Sequence, residues 1–125
     1  MAGLTLDAGA LIGLERRSSR VHGALSEAAG SGLHVRVPAA VLTQAWRNGS
    51  RQSLLARLLD APRTSVVELD RVGAQRTGEL LGITRTSDPV DASVVVCART
   101  HRDVVVTSDP DDLLVLDPTL VLFVL

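Results

Sequence analysis

The sequence has 125 residues, of which 46% are hydrophobic and 22% charged, and its net charge is −1; this is the size and composition of one soluble domain. Its longest apolar stretch, residues 120–125, is far shorter than the roughly 20 residues of a membrane-spanning helix, and no basic segment precedes an apolar one at the start, so neither a membrane span nor a signal peptide is expected. A single cysteine excludes an internal disulfide and favours a cytoplasmic location.

Short apolar strands alternate with longer helical patterns along the chain. Runs rich in β-branched residues and leucine, bounded by turn residues, predict strands at 4–6, 33–37, 65–69, 104–107 and 120–125. Helices are predicted at 8–16, 19–29, 38–46, 51–59, 71–82 and 89–100. This alternation predicts a single α/β domain over residues 1–125, with a central, mostly parallel sheet of four to five strands flanked by helices on both faces.

Three aspartates occupy junctions between these strands and helices. Asp7 follows the first strand, Asp109 follows a later strand, and Asp91 lies in the first turn of the helix before it. Each of them, and Asp88 as well, also suits a helix N-terminus, where Asp is a favoured capping residue. Because the carboxyl ends of parallel strands meet at one edge of a sheet, we expect the three side chains to converge there.

Converging carboxylates repel one another unless a cation neutralises them or some are protonated. Ligation by oxygen alone suits Mg²⁺ or Mn²⁺ better than zinc. Such ions, bound to clusters of Asp, generate a nucleophile from water and stabilise charge at phosphorus. The aspartates therefore predict hydrolysis of a phosphodiester.

Three segments of the chain resemble PIN domains. Residues 4–12, LTLDAGALI, resemble the opening strand and first acid of PIN domains. Residues 91–98, DASVVVCA, resemble the later helix of PIN domains that begins with an Asp. The strand that follows that helix, ending in Thr and Asp, resembles residues 104–109, VVVTSD. In size and in the order of these motifs the chain looks most like the VapC toxins of bacterial toxin–antitoxin pairs, and the resemblance covers essentially all of it.

The resemblance implies a Mg²⁺-dependent endoribonuclease, with Mn²⁺ as the alternative ion, that hydrolyses RNA phosphodiesters in an Asp-rich cleft. It also implies a homodimer and a cognate antitoxin whose tail lies across that cleft. Asp7 and Asp91 would bind the metal directly, and Asp109 would help by ligation or by positioning water. Thr107 would orient Asp109 or a water molecule through its hydroxyl.

One position departs from the PIN pattern. PIN domains usually carry a further acid, a Glu, on the helix after the second strand, and this chain has Gln44 there. A carboxamide can accept a hydrogen bond from water but brings no charge, so metal affinity should fall unless Asp88 or Asp112 substitutes. The plainer interpretations are a polar helix residue for Gln44 and a helix-dipole role for Asp112.

The basic residues are all arginine, and two of them lie near Gln44. Arg47 and Arg51 are candidates for binding RNA phosphates at the rim of the cleft, although a solvated helix face is the commoner role of such residues. The absence of lysine excludes a phosphate-binding P-loop and a Schiff-base mechanism. It also argues against a receiver-type phosphoacceptor domain, which normally needs a lysine near its Asp.

Two functions are consistent with these residues. The first is an active ribonuclease toxin. The second is a PIN-like binding or regulatory module whose cleavage is weak or lost because Gln44 replaces the usual Glu. RNA cleavage measured with and without Mg²⁺ separates the two.

Overall fold

The computed structural model describes residues 2–125. The strands are β1 (Leu4–Leu6), β2 (Val35–Pro38), β3 (Thr64–Val67), β4 (Val104–Thr107) and β5 (Leu122–Val124). The helices are α1 (Ala8–Glu15), α2 (Ser19–Gly30), α3 (Ala39–Ala45), α4 (Ser53–Asp60), α5 (Arg71–Thr84), α6 (Pro89–His101) and α7 (Pro110–Leu116). Each of these helices is too short or too polar to span a membrane.

All five strands form one parallel sheet, as the sequence predicts. The strand order is β3-β2-β1-β4-β5, so β1 lies at the centre. Leu4 pairs with Val35 on one side and with Val104 on the other. The carboxyl ends of β1 and β4 therefore lie side by side, and this places the residues after them at one edge.

Helices cover both faces of the sheet. Thr5 points to the face that carries α6, because its hydroxyl lies 3.5 Å from the Cys97 sulfur. Leu6, one residue on, points to the opposite face and is buried as well. Helices α1, α2 and α4 pack together, as do α5, α6 and α7, and α3 contacts both α1 and α6. The central strands β1, β2 and β4 are therefore largely buried on both faces, whereas the edge strands β3 and β5 are partly exposed.

The predicted helices do not include α7, where only a helical turn after Asp109 was expected, and the other differences are at helix and strand ends. α5 continues to Thr84, two residues beyond the predicted end at Gly82. Arg85 and Arg102 end α5 and α6 in the left-handed region, with φ of 56° and 57°, where glycine or asparagine is usual. Tertiary packing, which buries Leu80 of α5, outweighs the low helix propensity of its glycines.

Asp103 joins three strands at the amino edge of the sheet, opposite the end where Asp7 lies. Its two carboxylate oxygens accept hydrogen bonds from the Gly3 amide at 2.7 Å, the Thr5 hydroxyl at 2.8 Å, and the Arg36 guanidinium at 2.8 and 3.0 Å. The Asp103 side chain is fully buried and that of Arg36 is 12% exposed. Gly3 and Thr5 belong to the β1 segment, Arg36 lies in β2, and Asp103 precedes β4, so one carboxylate links all three.

Gly3 has room for no side chain, and this gives a first prediction. A methyl group at Gly3 would overlap the backbone carbonyl oxygen of His34, which is held in the sheet. We expect Gly3→Ala to lower the free energy of unfolding by about 1–3 kcal/mol, the usual cost of overpacking. Gly78→Ala is the matched control, because nothing lies within 4 Å of the added methyl; it should raise stability by about 0.5–1 kcal/mol. Urea unfolding measures both, and equal effects would contradict the prediction.

Candidate active site

Asp7 is the innermost acid at the carboxyl edge. It follows β1, is buried, and accepts a hydrogen bond from the Ala10 amide at 2.9 Å, so it also caps α1. Burial raises the pKa of Asp7 above its ordinary value of 3.8, and the charge of Asp109 adds to that rise. Hydrogen bonds from Thr107 and Ala10 act in the opposite direction. Asp7 can therefore cap α1 and also belong to an active site at this edge of the sheet.

Thr107 connects two of the acids. Its side chain is fully buried at the end of β4, and its hydroxyl accepts a hydrogen bond from the Asp109 amide at 2.8 Å. The Thr107 side chain also acts on Asp7, whose pKa it lowers. Because β1 and β4 run in register up to Leu6 and Val106, Thr107 is the next residue along and lies beside Asp7. The hydrogen bond of Thr107 is with the Asp109 backbone, and the role of Thr107 in orienting the Asp109 carboxylate or a water molecule stays a prediction.

Asp109 differs from the other two acids. It precedes α7, yet its side chain makes no capping hydrogen bond to that helix, and it is exposed. The capping interpretation, which the sequence left open for all three residues, is wrong for Asp109. Its carboxylate remains available to solvent or to a ligand.

Asp91 lies in the first turn of α6 and shows the strongest electrostatic perturbation of the site. Burial is the largest cause, and together with the charges of Asp88, Asp112, Asp109 and Asp7, in that order, it raises the pKa of Asp91 to about 6. Because these charges act on Asp91 together, the five acids share one region of negative potential. The structure thus brings the three aspartates predicted from the sequence, with Asp88 and Asp112, into one neighbourhood.

Asp88 and Asp112 line a cavity of about 300 Å³ next to Asp91. One oxygen of Asp88 caps α6 by accepting hydrogen bonds from the amides of Val90 at 2.9 Å and Asp91 at 3.1 Å. Asp112 lies in the first turn of α7 and is exposed. The position of Asp88 is compatible with capping, and that of Asp112 with a helix-dipole role. Each residue also places a carboxylate beside Asp91.

The donors at this edge fit a hard cation that keeps part of its water shell. They are carboxylate and hydroxyl oxygens, which Mg²⁺ and Mn²⁺ prefer. Asp7, Asp91 and Asp109 do not form a tight cage, because their carboxylate oxygens do not all lie within 4.8 Å of one another. Mg²⁺ is usually bound through one or two carboxylates with several waters, so this wider spacing suits it.

Within residues 2–125 the one group that meets that distance is Cys97, His101 and Asp103, at the other edge of the sheet. Asp103 already accepts four hydrogen bonds there. His101 Nδ1 lies 2.9 Å from the Cys97 carbonyl oxygen, to which it must donate. Burial raises the pKa of the Cys97 thiol. These donors are committed to protein contacts, so the group is structural.

Gln44 and the two predicted RNA-binding arginines lie in or just after α3. Gln44 lies in α3, and its side chain is exposed and makes no hydrogen bond within residues 2–125. The Arg47 guanidinium donates to the carbonyl oxygens of Thr43 at 2.9 Å and Trp46 at 2.8 Å, and so it satisfies the end of α3. Arg51 is exposed in the turn before α4. None of these three contributes to the pKa shifts of Asp7 or Asp91.

Gly9 is a site feature that the sequence analysis did not single out. A methyl group there would overlap the Ser108 side chain and would lie 3.2 Å from an Asp7 carboxylate oxygen. The absence of a side chain lets the start of α1 lie directly against Ser108, which follows β4. In the sequence, the only signal was a glycine two residues after the first acid.

The sequence and the fold were compared with those of known proteins. The family model described as "PIN domain" matches residues 4–116. Among solved structures, the chain is similar to VapBC2 from Rickettsia felis bound to a DNA fragment from its promoter, with a TM-score of 0.72 and 15% identity over 98% of each chain. It is also similar to FitAcB from Neisseria gonorrhoeae, with a TM-score of 0.65 and 17% identity over 96% of each chain.

A third similar structure is Mycobacterium tuberculosis VapC20, described as a sarcin-ricin loop cleaving toxin. Its TM-score is 0.60 at 17% identity, over 82% of this chain and 87% of that one. At such identities these likenesses establish the fold. No curated protein sequence matches the chain.

Proposed function

The chain belongs to the PIN domain family, a family of nucleases, and from this membership we propose that it is a Mg²⁺-dependent endoribonuclease of the VapC toxin kind. The observation that supports this most directly is that four acids surround Asp91 and that their charges, together with burial, raise its pKa to about 6. A cation bound among them would relieve that repulsion.

In this proposal Asp7 and Asp91 hold the cation, and Mn²⁺ would bind through the same oxygen donors. When bound, such an ion activates water for attack on phosphorus and neutralises charge on the phosphate oxygens. Thr107 accepts a hydrogen bond from the Asp109 amide and favours the charged form of Asp7, which the cation needs. Asp109 is exposed and caps no helix, so its carboxylate oxygens can accept a proton from the attacking water or complete the ligand set.

Asp88 and Asp112 are proposed to supply the charge that Gln44 lacks. Both line the cavity beside Asp91, and their charges act on Asp91 more strongly than those of Asp109 and Asp7. Asp88 uses one oxygen to cap α6. Its second oxygen and the exposed carboxylate of Asp112 are therefore available to bind a cation. Arg51, exposed and near Gln44, is proposed to bind RNA phosphates; Arg47 would do so only by leaving the end of α3.

The proposed partners are RNA, a cognate antitoxin that covers the acidic cleft, and a second copy of the chain. Their support is the fold that the chain shares with toxin–antitoxin structures named VapBC and FitAB. Coexpression with a neighbouring small gene, followed by copurification, tests the antitoxin.

The activity is tested by RNA cleavage with purified protein in Mg²⁺, in Mn²⁺ and in EDTA. We expect cleavage in either ion and none in EDTA, and Asp7→Asn should lower the rate by at least about a hundredfold, because it removes a proposed metal ligand. Asp111→Asn is the matched control, since Asp111 is an exposed acid in the same turn of α7 as Asp112 but does not act on Asp91. Cleavage that survives EDTA, or Asp7→Asn at the wild-type rate, would sink the proposal.

A second candidate function is a PIN module with weak or no cleavage. The exposed, unbonded Gln44 in place of a Glu favours it. Gln44→Glu separates the two: a variant that cleaves RNA while the wild type does not would establish the second function. Comparable activity in both would favour the nuclease.

A further inference from the structure

Trp46 is the only tryptophan of the chain, and its side chain is 37% exposed. It follows α3 and lines a surface groove of about 350 Å³ together with Ala39, Leu42, Thr43 and Leu59. None of the five acids of the candidate active site lines this groove. Tryptophan is highly buried on average, so an exposed one beside an apolar groove is a feature typical of binding surfaces.

The loop that carries Trp46 is fixed by hydrogen bonds and by packing. Gln52 Oε1 accepts a hydrogen bond from the Arg47 amide at 2.7 Å, and Gln52 Nε2 donates one to the Ala45 carbonyl oxygen at 2.8 Å. Gly49 lies directly against the indole, because a methyl group there would be 2.6 Å from Trp46 Cζ2. One part of the ring therefore rests on backbone while another part lines the groove. A ring held in this way loses little freedom when a ligand binds to it.

The segment around Trp46 is basic, although the chain as a whole has a net charge of −1. Residues 39–59 contain no acid and three exposed arginines, Arg47, Arg51 and Arg57. Arg47 donates to the Trp46 carbonyl oxygen at 2.8 Å, so its charge is held beside the ring. Arg51 comes two positions after Gly49, so its Cα lies within about 7.6 Å of the glycine that contacts the ring. An exposed aromatic ring with positive charge around it is the combination that binds single-stranded nucleic acid.

We propose that the groove beside Trp46 binds a single-stranded segment of RNA, with one base stacked on the indole and an adjoining phosphate paired with Arg51. Engineered cavities of about 150 Å³ hold benzene, so a groove of about 350 Å³ accommodates a purine. Positive charge without acids favours a polyanion over an apolar protein segment as the occupant. The choice of RNA rests on the proposed ribonuclease function. The groove would hold the substrate on a surface free of acids, whereas the acidic cleft repels phosphate until a cation is bound.

Because Trp46 is the only tryptophan, its fluorescence reports directly on the groove. Hexa-adenylate RNA is the ligand, titrated into the full chain in EDTA so that no metal-dependent cleavage occurs. A hexamer of ribose phosphate without bases is the comparison ligand, since it offers the same charge but nothing to stack. We expect saturable quenching of Trp46 fluorescence by hexa-adenylate and none by the base-free hexamer.

Variants are compared through the fluorescence anisotropy of labelled hexa-adenylate. Trp46→Leu keeps an apolar side chain in the groove but removes the ring, so it should weaken binding about tenfold, within the range for loss of base stacking. Trp46→Phe keeps a ring and should weaken binding less than about threefold. Arg51→Gln should weaken binding about fivefold and reduce its dependence on salt. Arg71→Gln is the matched control, because Arg71 is exposed at the start of α5, and it should bind as the wild type does.

Four results would overturn the inference. They are an absence of saturable quenching, equal quenching by the base-free hexamer, equal affinity in wild type and Trp46→Leu, and a blue shift of Trp46 emission that grows with protein concentration alone. The last would identify a second copy of the chain as the occupant. These readouts are separate from cleavage. Quenching in a chain that cleaves no RNA would support this site and count against the ribonuclease, whereas cleavage without quenching would count against this site alone.

Discussion

Asp103→Ala is expected to lower the free energy of unfolding by about 3–5 kcal/mol, the range found when one partner of a buried ion pair is removed. The loss has two parts. The Arg36 guanidinium, whose side chain is 12% exposed, would be left without its counter-ion. The Gly3 amide and the Thr5 hydroxyl would lose their acceptor as well. Three strands depend on this carboxylate, so urea unfolding should show the loss as a lower midpoint.

The Arg99–Asp117 pair is the matched comparison. Its geometry is similar, with 2.6 Å between Nε and the carboxylate, but the Arg99 side chain is 52% exposed. Arg99→Ala should therefore cost no more than about 1 kcal/mol. Adding Arg36→Met to Asp103→Ala should recover part of the loss, because no unpaired charge remains buried. An Asp103→Ala variant as stable as Arg99→Ala would contradict the argument.

Asp91→Asn is expected to have opposite effects on stability and on activity. The folded-state pKa of Asp91 is about 6, against 3.8 for an ordinary Asp. Between these values the folded protein holds the proton more tightly than the unfolded chain, so this group makes stability fall as pH rises from about 4 through 6. Above that window the penalty is complete. Asn carries no such charge, so without divalent ions at pH 7.5 the variant should be more stable by about 1 kcal/mol, a value reduced for solvent screening and for the lost helix-dipole contact.

The same substitution should lower RNA cleavage by about a hundredfold or more, because Asp91 is a proposed metal ligand. Thermal unfolding of both proteins with and without Mg²⁺ connects the two effects. The wild type should gain stability with the ion by mass action and the variant should gain little. At pH 4 the two proteins should have nearly equal stability. A variant that is less stable at pH 7.5, or that still responds fully to Mg²⁺, would refute this account.

The fold was largely predictable because the apolar runs, the helical patterns and the turn residues along the chain all indicate the same alternation of strands and helices. All five strands, their parallel arrangement and the positions of Asp7, Asp91 and Asp109 follow from apolar runs that alternate with helices. Helix ends were less predictable where an arginine takes the place of glycine, as at Arg85 and Arg102. There, long-range packing decides where the helix ends, and a single sequence does not show it.

The site was only partly predictable for a related reason. Order along the chain could place three acids at one edge, but it could not show that Thr107 bonds to the Asp109 amide and lowers the pKa of Asp7. Nor could it show that the charges of Asp88 and Asp112 act on Asp91 more strongly than those of Asp109 and Asp7. Asp103 illustrates the same limit. In the sequence it is one more acid before a strand, and its burial depends on Arg36 and Gly3, far away in the chain.

The central position of β1 determines how late in synthesis the sheet and the acidic cleft can assemble. β1 is synthesised first, yet it pairs with β4, and the bonded residues Gly3 and Asp103 are 100 positions apart. Such long-range pairing forms late, because the intervening chain must first be closed into a loop. A nascent chain therefore has Asp7 but none of its acidic neighbours until residues 88–112 have left the ribosome. Synthesis that stops earlier releases fragments without a complete acidic cleft.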